Sequence, residues 1–283
     1  MRKNLSFVLL VILLSAFFCG CAPKRQTKFY ADLLSDGYSM PNHLTVDELI
    51  EKVDSSNTQI QRFKANLKLL FKDYIRQQGA SSFQCRGKIA ISKPYRLRLS
   101  GYSFIAGTLF DIGSDGDKFF IYLPKDTKAL IGSSEFPQSS MYPAIRIRPN
   151  DIMESFMLQN LSQYYKDNIC FYEYFPQHYI IYVVNKTDND FFLKKKIWVS
   201  AKNYEIFRHK SFNKDGTVKL EVIISKFFDF DEKGYFPKKM EVLRPNSHLD
   251  LVMEFSSVEL DPQLDDNIFL FKKPDNVELI NLD

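Results

Sequence analysis

A chain of 283 residues with 38 Lys and Arg against 34 Asp and Glu is nearly charge-balanced, which gives no reason to expect nucleic acid as a partner. Its 45% hydrophobic residues, 26 Phe and 15 Tyr among them, are enough to bury a substantial core. Length alone permits a single domain if the chain is mostly β.

The first twenty residues read as a secretory signal. Arg2 and Lys3 are followed by Leu5 to Phe18, apolar apart from Ser6 and Ser15. At about fourteen residues this run is shorter than the roughly 20 needed to span a bilayer. Phe18-Cys19-Gly20-Cys21 resembles the bacterial lipobox, in which a small residue precedes the cysteine that is lipidated. That resemblance implies a lipid anchor at Cys21, because Gly20 precedes it whereas Cys19 follows bulky Phe18. Ala22 after the anchor implies the outer membrane, with the protein facing the periplasm. Loss of Arg2 and Lys3 with the signal leaves 36 basic against 34 acidic side chains. The boundaries expected are therefore 1–20 for the signal, 21–43 for the lipidated cysteine and a polar tether, and 44–283 for one folded domain.

Within that domain Thr45 and Glu48 form a capping box. Val46, Leu49, Ile50 and Val53 give the helix behind it one apolar face, and Asn57 ends it. From Arg62 the period becomes two, with Phe63, Ala65, Leu67, Leu69 and Phe71 on one side, which predicts an amphipathic strand. Phe83 to Ser92 predicts its antiparallel partner, and Arg96 to Gly101 a third strand beyond a turn at Lys93-Pro94. Tyr102 to Phe110 is either a continuing strand or a loop that offers apolar side chains outward, with Phe104 and Ile105 at its tip. Lys118 to Leu123 and Ala129 to Ile131 follow as strands, Ser133 to Met141 as a loop, and Ile152, Phe156 and Leu158 mark a second helix. Seven further strands run from Ile169 to Val258, separated by turn signals such as Lys214-Asp215-Gly216 and Pro245-Asn246-Ser247. An extended tail closes the chain. Cys85 and Cys170 either pair or remain two core thiols.

Eleven or twelve sequential strands, two helices and no βαβ alternation predict a large curved antiparallel sheet or unclosed half-barrel with a helical lid. Its inner face is either a packed core or an apolar cavity suited to acyl chains. The residues that would line such a cavity are Phe63, Leu67, Leu69 and Phe71 on the first strand, Ile89 and Ile91 on the second, and Leu97 and Leu99 on the third.

The order of helix, amphipathic strand, GKIAISKPYRLRL from Gly87, an apolar hairpin, DGDKFFIYLP from Asp115 and KIWVSAKNYEIFRHKSF from Lys196 resembles the LolA/LolB lipoprotein-localisation family. The resemblance covers most of the mature chain as a pattern of strands and short phrases. It implies an unclosed barrel with a helical lid over a hydrophobic cavity, acting in lipoprotein transport. The anchored, monomeric receptor of that family accepts lipoproteins from a periplasmic LolA-like carrier and inserts them into the outer membrane. The implied partners are thus acyl chains of lipoproteins, that carrier and outer-membrane lipid, and the implied membrane-insertion loop carries Phe104 and Ile105. This chain is longer than the minimal receptor, mainly around Ser133 to Gln177. The alternatives are a non-catalytic structural lipoprotein of the envelope and a carrier for another lipid such as lipopolysaccharide.

Enzyme signatures are absent from the sequence: no GxSxG, HExxH, GxGxxG, P-loop or CxxC occurs. His43, His178, His209 and His248 are isolated, so no metal site and no cofactor are expected. Asp111 to Tyr122 echoes a calcium loop but has Tyr122 where the bidentate Glu belongs, and reads as a β-turn. Lys194-Lys195-Lys196 beside Trp198 reads as a solvated strand end and Arg96 and Arg98 as outward-facing, although a lipid-headgroup contact and a cavity mouth are the respective functional readings.

Overall fold

The computed structural model describes residues 44–57, 60–74, 81–133, 149–156, 161–186 and 190–282. All belong to the compact unit Asn42–Asp283. The signal, Cys21 and the tether lie outside the described residues, as do most of the predicted Ser133–Met141 loop and Leu158.

The first half of the unit contains α1 (Val46–Ser56), β1 (Arg62–Asp73), β2 (Ser81–Ser92), β3 (Arg96–Ser103), β4 (Gly107–Ser114), β5 (Lys118–Leu123) and β6 (Lys128–Ser133). Two short helices follow, α2 (Pro149–Phe156) and α3 (Leu161–Asp167). The second half is β7 (Asn168–Phe175), β8 (His178–Lys186), β9 (Phe191–Ser200), β10 (Ile206–Phe212), β11 (Val218–Asp229), β12 (Tyr235–Arg244), β13 (Leu249–Leu260) and β14 (Glu278–Asn281).

These 14 strands form one curved, unclosed sheet in the order β14, β6, β5, β4, β3, β2, β1, β13, β12, β11, β10, β9, β8, β7. Two meanders therefore meet at β1, which pairs with β2 on one side and β13 on the other. All neighbours are antiparallel except β14, which lies parallel to β6. The count exceeds the sequence expectation for identifiable reasons. Tyr102 to Phe110 holds the end of β3, a turn at 104–106 and the start of β4, and the tail contributes β14. Four residues of β14 are too few to show a period, and the pairing comes from a strand distant in sequence.

Period-two alternation carries one apolar face across the whole sheet. Leu69 of β1 stands opposite Cys85 of β2 and Met253 of β13, and Leu99 of β3 stands between Ile89 and Ile112. The helices cover this inner face. Thr45 caps α1 as expected, its Oγ1 accepting from the Glu48 N–H at 3.2 Å while the Glu48 carboxylate accepts from the Thr45 N–H at 2.7 Å. Leu49, Ile50 and Val53 then pack with Leu161, Ile181, Val183, Ile197 and Val199 into one cluster over β8 to β10. Asn57 ends α1 and ties it to the sheet, donating to the Tyr204 carbonyl at 2.9 Å and accepting from the Ile206 N–H at 3.0 Å. The buried Asp54 carboxylate accepts from the first N–H groups of α3, Leu161 at 2.6 Å and Ser162 at 3.0 Å. No sequence signal had marked α3.

A second, larger cluster joins β1 to β6 with β11 to β13 and includes Ile152, Met153 and Phe156 of α2. On the outer face the chain after β13 is held by Arg98. Its guanidinium donates to the Ile268 and Leu270 carbonyls at 3.1 and 3.0 Å, pairs with Asp111 and lies over the Phe120 ring. Arg98 thus faces outward, as expected, but its work is to fasten the tail. Cys85 and Cys170 are free thiols.

Two glycines explain how bulky rings fit between neighbouring strands. A Cβ at Gly101 would run into the Phe110 ring on β4, and one at Gly113 into the Phe120 ring on β5. Each aromatic therefore lies over a strand where no side chain opposes it. Gly101→Val should lower stability by about 1–3 kcal/mol through overpacking, read as a lower urea midpoint. The same change at Gly107, where nothing lies within 4 Å of the added carbon, tests backbone strain alone because its φ is +67°.

Candidate functional site

The residues expected to line a cavity lie on the inner face, packed into its core. Phe63, Leu67, Leu69, Ile89, Ile91, Leu97 and Leu99 are 0–2% exposed, and Phe71 is half-buried at the far end of β1. Among the described residues α2 is seated directly on this face. Phe156 meets Phe63 at 5.2 Å and Phe255 at 6.0 Å, and Phe63 meets Phe236 at 5.0 Å in an edge-to-face contact. Phe71 sits apart from α2, against Phe83 at 6.0 Å and Phe110 at 5.6 Å.

Polar side chains fasten α2 where its apolar stripe ends. Asp151 pairs with Arg244 of β12 at 3.2 Å, both side chains being under a tenth exposed. Glu154 pairs with Lys195 of β9 at 3.1 Å and Lys219 of β11 at 2.8 Å, and accepts from the Ser211 hydroxyl of β10 at 2.5 Å. Lys195, Ser211 and Arg244 all project from the inner face, because register places Lys195 opposite Val183 and Ser211 opposite Leu220. The middle lysine of the Lys194–Lys196 run is thus buried, contrary to a solvated strand end, whereas Lys196 lies over the Tyr182 and Trp198 rings. Sequence reasoning missed this clamp because its members come from five separate elements. The only signals were charges at inward positions of β9 and β12.

His209 is enclosed beside the clamp. Burial first, and then the neighbouring Lys195, push its imidazole down to about 3, so it is neutral at pH 7. Burial alone would raise the Glu154 carboxyl, but Lys195 and Lys219 outweigh it and hold the group at about 2.

At the end of β3 away from this clamp, the hairpin to β4 projects Phe104 and Ile105. They are 100% and 95% exposed, the most exposed large apolar side chains among the described residues. Ser103 and Gly107 pair across the hairpin, and the Ser103 hydroxyl accepts from the Ile105 N–H at 3.3 Å. The tip is therefore a fixed feature of two strands, and it is exposed, which resolves the ambiguity of Tyr102 to Phe110. A single exposed apolar residue is ordinary, but two adjacent ones leave a hydrophobic point facing water. At the start of β3, Arg96 lines a cavity of about 1180 Å³ with Lys93, Lys194, Lys195, Lys219 and Glu154. Apolar and cationic features thus occupy opposite ends of one eight-residue strand, roughly 26 Å long.

An open antiparallel sheet with helices on its inner face defines a class of non-enclosed, helix-covered β proteins. The fold is similar to those of several solved structures. A LolA superfamily protein from Nitrosomonas europaea superposes with a TM-score of 0.53 at 14% identity, over 81% of this chain and 99% of that one. A domain described as an outer membrane lipoprotein-sorting protein, from Vibrio parahaemolyticus, gives 0.51 at 12% identity, over 78% and 94%. A DUF1329 family protein from Desulfovibrio piger gives 0.50 at 16% identity, with the same coverages. No protein-family model matches the sequence, and no curated protein matches it. No helix among the described residues is long and apolar enough to cross a membrane.

The histidine makes the clamp region acid-sensitive. A group whose folded pKa lies below its unfolded value contributes stability above the unfolded pKa and loses it as pH falls. For His209 the loss runs from about 6.5 toward about 3, at up to about 1.4 kcal/mol per pH unit, and Glu154 adds its own below about 4.5. Urea unfolding at pH 7 and pH 5 should show wild type losing stability on acidification and His209→Leu losing clearly less. Equal slopes would remove His209 from this account.

Proposed function

We propose that this chain is a lipid-anchored protein of the bacterial envelope that shelters acyl chains against its inner face and passes them to a membrane. The carrying observation is the Phe104–Ile105 point, fully exposed at the end of a strand whose other residues feed an apolar inner face. Burying two such side chains in lipid is worth about 1.5–3 kcal/mol each, enough to bias the hairpin toward a bilayer surface. Cys21 would supply the anchor, at the outer membrane and facing the periplasm, and the cargo would be lipoproteins handed over by a soluble carrier. The likeness to the lipoprotein-sorting domain of Vibrio parahaemolyticus points the same way.

Room for an acyl chain comes from displacing α2. The helix buries Ile152, Met153 and Phe156, worth about 5–9 kcal/mol together at usual values for such side chains. A sixteen-carbon chain gains on the order of 10 kcal/mol by leaving water. The two occupants of the inner face are therefore matched in scale, and the ion pairs of Asp151 and Glu154 set the preference for the closed form. No bond is made or broken in such an exchange, so catalysis is not required.

With the full-length protein and a fluorescent tripalmitoylated peptide, the double substitution Phe104→Glu and Ile105→Glu should leave peptide binding intact and reduce its transfer to vesicles at least about tenfold. Transfer at the wild-type rate would remove the hairpin's role. Glu154→Gln should loosen α2 and raise uptake of a hydrophobic dye at neutral pH.

A second reading is favoured by the near-zero exposure of the inner-face residues with α2 in place: an envelope scaffold whose core is permanently filled. In that case Glu154→Gln would lower stability without dye uptake. Mass spectrometry of the purified chain would then find no co-purifying lipid, whereas a bound lipid other than lipoprotein acyl groups would redirect the cargo assignment.

A further inference from the structure

One titratable side chain on the inner face takes no part in the clamp beside it. His209 sits in the middle of β10, opposite Ile197 of β9 and Val222 of β11, and is 1% exposed. Among the described residues neither Nδ1 nor Nε2 has a hydrogen-bond partner. The space beside the ring is about 20 Å³, room for about one water, and its described lining includes Asn57, Ser155, Phe156, Ile224 and Tyr235. The polar groups around the ring come from four elements. Lys195 is on β9, Glu154 and Ser155 on α2, Tyr235 on β12 and Asn57 at the end of α1, while Lys219 of β11 is drawn onto Glu154. Burial first and Lys195 second oppose a charge on the ring. Glu154 and the Ser155 backbone offset only part of this, and the latter does so without reaching hydrogen-bond geometry.

A neutral imidazole carries one donor and one acceptor, whereas an imidazolium carries two donors and a charge. Burying that charge without acceptors is costly, so protonation favours any form that lets water reach the ring. The strands flanking β10 are held by backbone ladders, and Asn57 is hydrogen-bonded to the Ile206 N–H of β10 itself. By contrast α2 has eight residues and is fastened to the sheet through the side chains of Asp151 and Glu154. It is the element over the ring that can leave without breaking the sheet. We propose that His209 is an acid trigger for α2: protonation of the enclosed ring favours the form in which this helix has left the inner face, so the apolar surface becomes accessible as pH falls. The trigger rests on the reading that α2 is displaceable and adds what governs its displacement.

If opening returns the imidazole to its ordinary 6.5 from a closed value of about 3, the ratio of open to closed form rises about 25-fold between pH 7 and pH 5. Glu154, at about 2 when closed and 4.5 when free, adds a factor of about 1.3 over the same range. Hydrogen exchange of the full-length protein read by mass spectrometry measures this, each rate being divided by that of the unfolded chain at the same pH. In wild type the corrected exchange of α2 should rise about 25-fold, with β1 and β2 keeping their protection. In His209→Gln and His209→Leu the rise should fall below about twofold. Opening of α2 in acid without uptake of a hydrophobic dye supports the trigger and removes the sheltering of acyl chains. Equal α2 exchange at pH 7 and pH 5 in wild type overturns the proposal without requiring any variant to fold. A wild-type rise in either folded variant also overturns it and assigns the acid response to Lys195.

Discussion

Everything in this protein depends on covering one continuous apolar face. Strands with alternating side chains, antiparallel apart from β14, place that face on one side of the sheet, and an open sheet cannot cover itself. Among the described residues three short helices do so, and each is held by polar contacts. Asn57 fastens α1 to β10, Asp54 fastens α3 to α1, and Asp151 and Glu154 fasten α2 to β12, β9 and β11. Helices of 7 to 11 residues are marginal in isolation, so these anchors decide where they rest.

Of the three, α2 occupies the position on which the functional reading turns. Apolar packing against Phe63 and Phe255 is non-directional and would tolerate an acyl chain in place of the helix. The ion pairs are directional and would be lost on opening. Breaking a buried pair by removing one partner typically costs about 3–5 kcal/mol, whereas separating both partners into water costs less because each is rehydrated. Under the proposed exchange, a lid secured this way would be stable when closed yet releasable. His209, kept neutral beside Lys195, makes the same region respond to acid.

The two ends of β3 also carry opposite chemistry. Phe104 and Ile105 favour an apolar environment, while the described lining of the cavity beside Arg96 is rich in charged side chains. The hairpin tip extends from a strand pair fastened on its outer side by Arg98 and the tail, so its position follows from the sheet and not from a free loop. Among the described residues, the stretch between Ser133 and Gln177 contains α2, α3 and the edge strand β7.

Much of this was legible in the order of residues. Alternation in Arg62 to Asp73 and in Phe83 to Ser92, the capping box at Thr45 and the turn signals between later strands all act over a few positions, and they determined a long antiparallel meander with one apolar face. The exposed hairpin was narrowed to Tyr102–Phe110, with its tip at Phe104 and Ile105. Tertiary structure alone decided the rest: the pairing of β1 with β13, the parallel return of β14, the seat of α2 against Phe63, and the meeting of Glu154, Lys195, Ser211 and Lys219. These contacts join residues far apart in the chain, and no local period or motif encodes which distant charge will stand opposite which. Whether an inward lysine is an error or a clamp depends on a carboxylate from another element, and only the folded chain brings the two together.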